Sequence, residues 1–160
     1  MPKLLSNMIG TNISIENKIN GGSYTFVSAC ASGAVAIGEA IKKIRYGEIK
    51  VALAGGSEAC ALPQVLESFK RLRADSTNDD IDKASIPFSK DRSGFVLSEG
   101  AAILVLEEYE EARSRGATIY AEIAGYGSSS DGVSLVAPDE NGIEKCIRKA
   151  LKDANISHEE

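Results

Sequence analysis

Tryptophan is absent from this 160-residue chain, histidine occurs once, at His158, and cysteine three times, at Cys30, Cys60 and Cys146. A metal site built from His and Cys has almost no ligands to draw on here, and neither a metal nor a cofactor is expected. The cysteines are odd in number, far apart and without metal-ligand spacing. A disulfide framework is therefore not expected, and reduced thiols in a cytoplasm-like compartment fit better. No apolar run approaches the roughly 18–20 residues that a membrane helix needs. The opening stretch, Met1-Pro2-Lys3-Leu4-Leu5-Ser6-Asn7, lacks the long apolar core of a secretory signal. Basic residues are outnumbered, 18 Lys and Arg against 23 Asp and Glu for a formal net charge of -5, which disfavours nucleic acid as a partner.

What is present is globular composition: 43% hydrophobic and 26% charged residues, on a length that suits one domain. Strands and helices alternate along it. Tyr24 to Val27 is a short β-prone run, and Ala31 to Tyr46 follows with helical spacing of Val35, Ile37, Ala40, Ile41 and Ile44. Gly47 is placed to stop that helix. Val51 to Ala54 reads as a buried strand ended by Gly55-Gly56, and Leu62 to Leu72 as a helix entered at Pro63. The polar stretch Asp75 to Ser93 contains Pro87 and reads as a long excursion, a length uncommon in compact domains unless functional. Ala101 to Leu106 is expected to be a buried strand, Glu107 to Arg115 a charged helix, and Tyr120 to Tyr126 alternates like a strand. A last helix runs from about Gly142 to Ala154, with Ile143, Cys146, Ile147, Ala150 and Leu151 on one face. This alternation predicts an α/β fold with a mainly parallel sheet between helices.

One residue in this pattern has chemistry to offer. In Ser28-Ala29-Cys30-Ala31-Ser32-Gly33 the cysteine follows a strand-like run and immediately precedes a helix. A strand-to-helix turn is the geometry that exposes a nucleophile at a sheet edge. The helix that follows directs unpaired N–H groups and its positive end at the sulfur, which favours thiolate and can lower the thiol pKa below its free value of about 8.5. The same N–H groups could hold the oxyanion formed when a thioester is attacked. Against this, most free cysteines are small buried hydrophobes, and that plainer reading suits Cys60 and Cys146.

Four blocks give the chain a family likeness. Ser28 to Gly33 resembles the active-site motif of the β-ketoacyl-acyl carrier protein synthases, condensing enzymes of the thiolase-like superfamily. Leu53-Ala54-Gly55-Gly56-Ser57-Glu58-Ala59 resembles their A-G-G-x-E-A strand and turn. Pro87 to Val96, continuing through Glu99-Gly100-Ala101, resembles their P-F-D-x-x-R-D-G-F-V-x-x-E-G-A segment. Tyr120 to Asp131 resembles the strand and loop that open the second half of the fold. The fatty-acid elongating type II group is the nearest in pattern. The resemblance implies a thiolase-like layered α/β fold, incomplete here, with residues 1–118 from the later part of the N-terminal half and residues 119–160 opening the C-terminal half.

It also implies an acyltransferase mechanism. Cys30 would take an acyl group from a carrier thioester, and a malonyl-carrier unit would be decarboxylated and condensed onto it, in fatty-acid or polyketide synthesis. In the family two histidines and a lysine assist decarboxylation, the first histidine in an N-A-H-G-T motif. His158 does not sit in that motif, so the chain is expected to be an internal fragment, inactive alone. The implied partners are acyl carrier protein with its phosphopantetheine-linked acyl and malonyl groups and, in the full-length protein, a second copy in a cytoplasmic homodimer. Neither membrane nor nucleic acid is an expected partner, and the alternative function is a non-catalytic interaction module or partner subunit of a condensing enzyme. A thiolase acting on coenzyme A thioesters is disfavoured by the A-C-A-S-G context.

The likeness assigns further residues. Glu99, Asp91, Arg92 and Asp131 are expected to support the nucleophile from behind, Asp91 and Arg92 as a local pair fixing the long loop. Where elongating relatives carry D-A-Y-H-x-T, this chain has Asp131-Gly132-Val133-Ser134-Leu135-Val136, so Ser134 and Val136 stand at the positions of two polar contacts to the carrier arm. Ser93 replaces the family's Asp in R-D-G-F. Lys70, Arg71 and Arg73 form a basic cluster suited to an acidic carrier protein, although short charge runs are usually solvated helix faces. Gly38, inside the helix after Cys30, is expected to permit close packing at a propensity cost of about 1 kcal/mol.

Overall fold

The computed structural model describes residues 5–134 and 137–157, so Val136 and His158 lie outside the described residues. The elements are α1 (Met8–Asn17), α2 (Ser32–Arg45), β1 (Val51–Ala59), α3 (Pro63–Arg71), α4 (Ile81–Ala84), β2 (Glu99–Glu107), α5 (Tyr109–Ser114) and α6 (Glu140–Ala154). They form two compact units, one of Met1–Gly56 with Ile103–Glu160 and one of Ser57–Ala102.

In the first unit α2 is the central helix. Its apolar spacing buries Ile41 and Gly38, while Lys42, Lys43 and Arg45 fill the last turn, where cations favour the carbonyl end. It stops as the sequence predicts. Gly47 is left-handed at φ 72°, and the N–H groups of Gly47 and Glu48 close back on the carbonyls of Ile44 and Lys43, the glycine-based ending that satisfies orphan carbonyls. Ile41, Ala54 of β1 and Ala112 of α5 are the buried hydrophobics among the described residues. The Glu108 N–H donates to Lys50 O at 3.0 Å, and the Lys50 ammonium pairs with Glu111 on α5.

The segment 123–128 lies between α2 and α6 in that unit. A Cβ on Gly38 would overlap the Tyr126 ring, and Cβ atoms on Gly125 and Gly127 would overlap the backbone of α6 at Ala150 and Cys146. The glycine in α2 thus makes room for a tyrosine ring, not for a second helix.

The second unit holds α3, α4 and the long excursion, which is closed at its neck. Phe95 N–H donates to Ala74 O and Ser76 N–H to Phe95 O, both at 2.8 Å, and the Phe69 and Phe95 rings meet edge-on at 6.0 Å. Gly94 has φ 153° and its α-carbon sits against the Asp75 backbone, where any Cβ would collide.

The sheet differs from the parallel arrangement that alternation predicts. Among the described residues it has two strands, β1 beside β2. They run antiparallel: Lys50, just before β1, meets Glu108, just after β2, while Cys60, just after β1, meets Ser98, just before β2. Residues 24–27 and 120–126 are in no ladder. Alternating side chains mark a segment as extended but do not supply its neighbour. In 123–128 side chains from the helices take over part of the backbone pairing. Arg45 donates to the Ile123 and Ala124 carbonyls, Cys146 to Gly127 O, Lys149 to Ser128 O, and Asp153 accepts the Tyr126 N–H. Gly55-Gly56 does not end β1 either. The strand continues to Ala59, and a Cβ on Gly56 would stand 3.3 Å from the α-carbon of Gly33. Those glycines mark a close backbone approach. The helix α1 was not anticipated by the apolar pattern.

Candidate active site

The turn at Cys30 is shaped by bonds within eight residues. Ala31 N–H donates to Ser28 O at 3.0 Å, Ser32 N–H to Ala29 O at 3.1 Å and Val35 N–H to Ala31 O at 2.9 Å. The Ser32 hydroxyl clamps both sides, donating to Ala29 O at 2.6 Å and accepting the Ser28 N–H at 2.8 Å. Ala29 is thereby held at φ 47°, a left-handed conformation that costs a non-glycine residue of order 1–3 kcal/mol and persists only where neighbours enforce it. That strained residue immediately precedes the cysteine.

Cys30 itself is exposed, unlike a cysteine acting as buried filler. No helix-capping side chain occupies the amino end of α2. The N–H groups of Cys30, Gly33 and Ala34 donate to no group among the described residues. Free amides and the amino end of a 14-residue helix therefore lie beside Cys30 along the chain, an arrangement that can hold an oxyanion. The first turn of α2 can reach this place because Gly33 rests on Gly55 and Gly56 of β1 with no side chain on either face.

The other expected residues divide. Asp131 is a turn anchor: Oδ1 accepts the Val133 N–H at 3.3 Å and Oδ2 the Asp139 N–H at 3.0 Å. Those backbone donors, Asp139 first, hold its carboxyl below the usual range. Gly142 on α6 makes room, since a Cβ there would stand 2.6 Å from that of Asp131. The Ser134 hydroxyl accepts the Ala137 N–H at 3.2 Å. Glu99 opens β2 and accepts the Ala61 N–H at 3.3 Å, so it braces the residue after Cys60. Cys60 and Cys146 point their thiols at the Ser98 and Gly127 carbonyls, consistent with packing roles.

Asp91 and Arg92 do not form the expected pair. The Arg92 guanidinium donates to Ser89 O at 2.9 Å and the Asp91 N–H to Ser89 Oγ at 3.1 Å. Residues this close along a turn reach its backbone more easily than each other. Lys70, Arg71 and Arg73 are exposed around the end of α3. Arg71 faces Glu67 at 3.5 Å, and Arg73 takes the left-handed position after the helix, φ 53°.

Two features escaped the sequence reading. Ser93 sits at the neck of the excursion, its hydroxyl 2.9 Å from that of Ser76 and accepting the Thr77 N–H at 3.3 Å; hydroxyls in a polar run carry no sign of a partner. Arg45 and Asp153, 108 residues apart, pair at 2.7 Å.

The amino-acid sequence matches the family model "Beta-ketoacyl synthase, N-terminal domain" over residues 1–112 and "Beta-ketoacyl synthase, C-terminal domain" over residues 120–160. The chain belongs to the β-ketoacyl synthase family. It is 44% identical to 3-oxoacyl-[acyl-carrier-protein] synthase 2 of Rhizobium meliloti (strain 1021) over 98% of its own length and 38% of that protein's. It is 41% identical to the enzyme of the same name from Vibrio cholerae, over all of this chain and 39% of that one. Among solved structures, a β-ketoacyl synthase from Burkholderia phymatum STM815 superposes with TM-score 0.87 at 40% identity, covering 94% of this chain and 37% of that one. A ketosynthase in complex with its type II PKS acyl-carrier protein, bound to the hexaketide, gives 0.88 at 40% identity over 94% and 38%. The chain thus spans a little under two fifths of the length of these relatives, and its fold is theirs, thiolase-like α/β.

Proposed function

We propose that this chain carries the acyl-accepting site of a 3-oxoacyl-acyl carrier protein synthase. The observation that carries the reading is the exposed Cys30 at the amino end of α2, with the unused amides of Cys30, Gly33 and Ala34 beside it. The Cys30 thiolate attacks the carbonyl carbon of a carrier-bound thioester. A sulfur–carbon bond forms while the oxyanion rests on the free N–H groups, and the carrier thiolate leaves and takes a proton. The acyl group is then held on Cys30. Loss of CO2 from a malonyl thioester generates a carbanion, which bonds to that acyl carbon and returns Cys30 as thiolate. Two-stage covalent catalysis of this kind suits a thiol nucleophile.

The acyl carrier protein is the proposed acyl donor, in keeping with the relative solved with its own acyl-carrier protein. Lys70, Arg71 and Arg73 are offered as part of its docking surface, and Ser134 as a contact for the arm. We place the parent protein in fatty-acid or polyketide synthesis, as a cytoplasmic homodimer in which residues 1–118 belong to the N-terminal half and 119–160 to the C-terminal half. Among the described residues no helix is long and apolar enough to cross a membrane. The condensation step draws on groups beyond this chain's site residues, so the chain alone is expected to be acylated without completing turnover.

The test is acylation by a medium-chain acyl-phosphopantetheine thioester followed by peptide mass spectrometry. Acyl mass on Cys30, absent in Cys30→Ser, supports the assignment. Acyl mass spread equally over Cys60 and Cys146 removes it, and leaves a non-catalytic partner subunit as the better description.

A further inference from the structure

Resting on the acyl-transfer reading, we propose that Arg45 and Asp153 are positioning residues for Cys30. The ion pair, with Tyr126, fixes the helix that carries the nucleophile at its opposite end.

Gly38, Lys42 and Arg45 are spaced four and three apart and so share one stripe of α2. All three meet the same segment. The Tyr126 ring fills the space a Cβ on Gly38 would take, and the Lys42 ammonium stands 5.4 Å from the centre of that ring. Arg45 Nη1 donates to Asp153 Oδ2 at 2.7 Å and Nη2 to Ala124 O at 2.6 Å. The same Asp153 oxygen accepts the Tyr126 N–H at 2.9 Å. An exposed ion pair of two long side chains is worth little alone. Here the guanidinium fork and the shared carboxylate tie three stretches of backbone, α2, residues 123–126 and α6, at one point. Planar forked contacts of this kind fix orientation as well as proximity.

The consequence appears at the other end of the helix. A helix of 14 residues is about 20 Å of stiff rod, and the Cys30 turn is bonded into its first turn through Ala31 and Val35. Near that end α2 touches β1 through Gly33 on Gly55 and Gly56, a contact without side chains to interlock. Glycine on glycine permits close approach but resists sliding and rotation poorly. Arg45 and Asp153 supply the interlock that this contact lacks, and through it hold the sulfur and its amides in register. The sequence has no feature that would make Arg45 a catalytic residue; its part is played through α2.

The experiment uses the whole chain and iodoacetamide, with Cys30 and Cys60 alkylation followed separately by peptide mass spectrometry at one fixed pH. Arg45→Ala and Asp153→Asn should each slow Cys30 alkylation by about threefold. Cys60 rates should not change. Arg45→Lys keeps the charge but loses the fork, so it should fall between the parent and Arg45→Ala. A general loss of packing would instead speed Cys60 and Cys30 together, and would count against the idea. So would a Cys30 rate unchanged by Arg45→Ala, or an Arg45→Lys rate no better than that of Arg45→Ala. If Arg45→Ala does not fold, the Arg45→Lys comparison decides on the same terms. In the parent chain, Cys30 reacting no faster than Cys60 would overturn the acyl-transfer reading and this inference with it. A fast Cys30 indifferent to Arg45 overturns the positioning role alone.

Discussion

Consider diluting the isolated 160-residue chain. Its accessible surface is 12996 Å² for 16.9 kDa. Surface–mass scaling gives a compact protein of that mass about 7,700 Å², and two independent globules of half the mass about 9,300 Å² together. The excess over even the second figure is about 3,700 Å², several times the roughly 800 Å² that each partner buries in a standard interface. Much of this surface is apolar: Phe88 is 100% exposed, Tyr120 97%, Ile81 91% and Val27 83%. Exposed apolar area on this scale marks surface made to be covered. Because interfaces of about 1,600 Å² in total already reach micromolar or tighter affinity, the chain should self-associate, or bind other protein, at about 10 µM. Sedimentation velocity between about 1 and 100 µM should show a sedimentation coefficient that rises with concentration, together with ANS fluorescence above that of a compact control. A concentration-independent monomer with one sharp unfolding transition and no ANS signal would refute the reasoning. It would mean that the exposed faces close on each other.

Two further outcomes follow from side-chain geometry. Ser93→Ala removes the acceptor of the Thr77 N–H and the partner of the Ser76 hydroxyl, bonds each worth about 0.5–1.5 kcal/mol net when well formed. The variant should be cut faster within residues 75–93 in limited proteolysis, and Ser93→Asp, the residue the family resemblance implies, more slowly than the parent; equal cleavage of all three would remove the latch. For Asp131 the folded pKa lies below the unfolded one. Its stabilisation is therefore fully present above the unfolded value of about 3.9 and is lost as pH falls through the folded one. Asp131→Asn, which has one acceptor oxygen for two N–H groups, should melt lower than the parent near pH 6 and converge with it in acid; a constant gap across the range would show that the carboxylate charge plays no part.

Elements that owe their form to their own residues were readable. α2 and α6 carry amphipathic spacing, Gly47 stops α2 with the left-handed turn that only its type adopts freely, and Pro63 opens α3. The Cys30 turn was readable for the same reason, since Ser32 is four residues from the amide it binds. What depended on distant partners was not. The strand expected at 120–126 is extended but finds helices where a ladder was anticipated, because alternation is blind to who pairs with whom. Gly55-Gly56 looked like punctuation and is a contact surface for Gly33. Asp91 and Arg92 looked like a pair because they are neighbours, and each turned instead to Ser89. Arg45 was one of several lysines and arginines on a helix face; only the folded chain shows which one has Asp153 opposite it.

The site therefore joins two kinds of information. Its geometry is local: the clamp by Ser32, the strained Ala29 and the unused amides all lie within residues 28–35. Its aim is not local. The contacts that hold the far end of α2, Arg45 with Asp153 and with Ala124, join residues 108 and 79 positions apart, and those partners lie in the region matching the C-terminal family domain. On the proposed acyl-transfer reading, Cys30 serves only if the second substrate approaches along a fixed line, since misplacement of reacting groups by about 1 Å can cost on the order of a hundredfold in rate. Tying the nucleophile helix to the C-terminal region makes that line depend on both parts of the chain being folded together. A local motif thereby gains a non-local check: on the proposed reading, the turn at Cys30 forms from its own residues, but its aim is set only when α2, residues 123–126 and α6 are together.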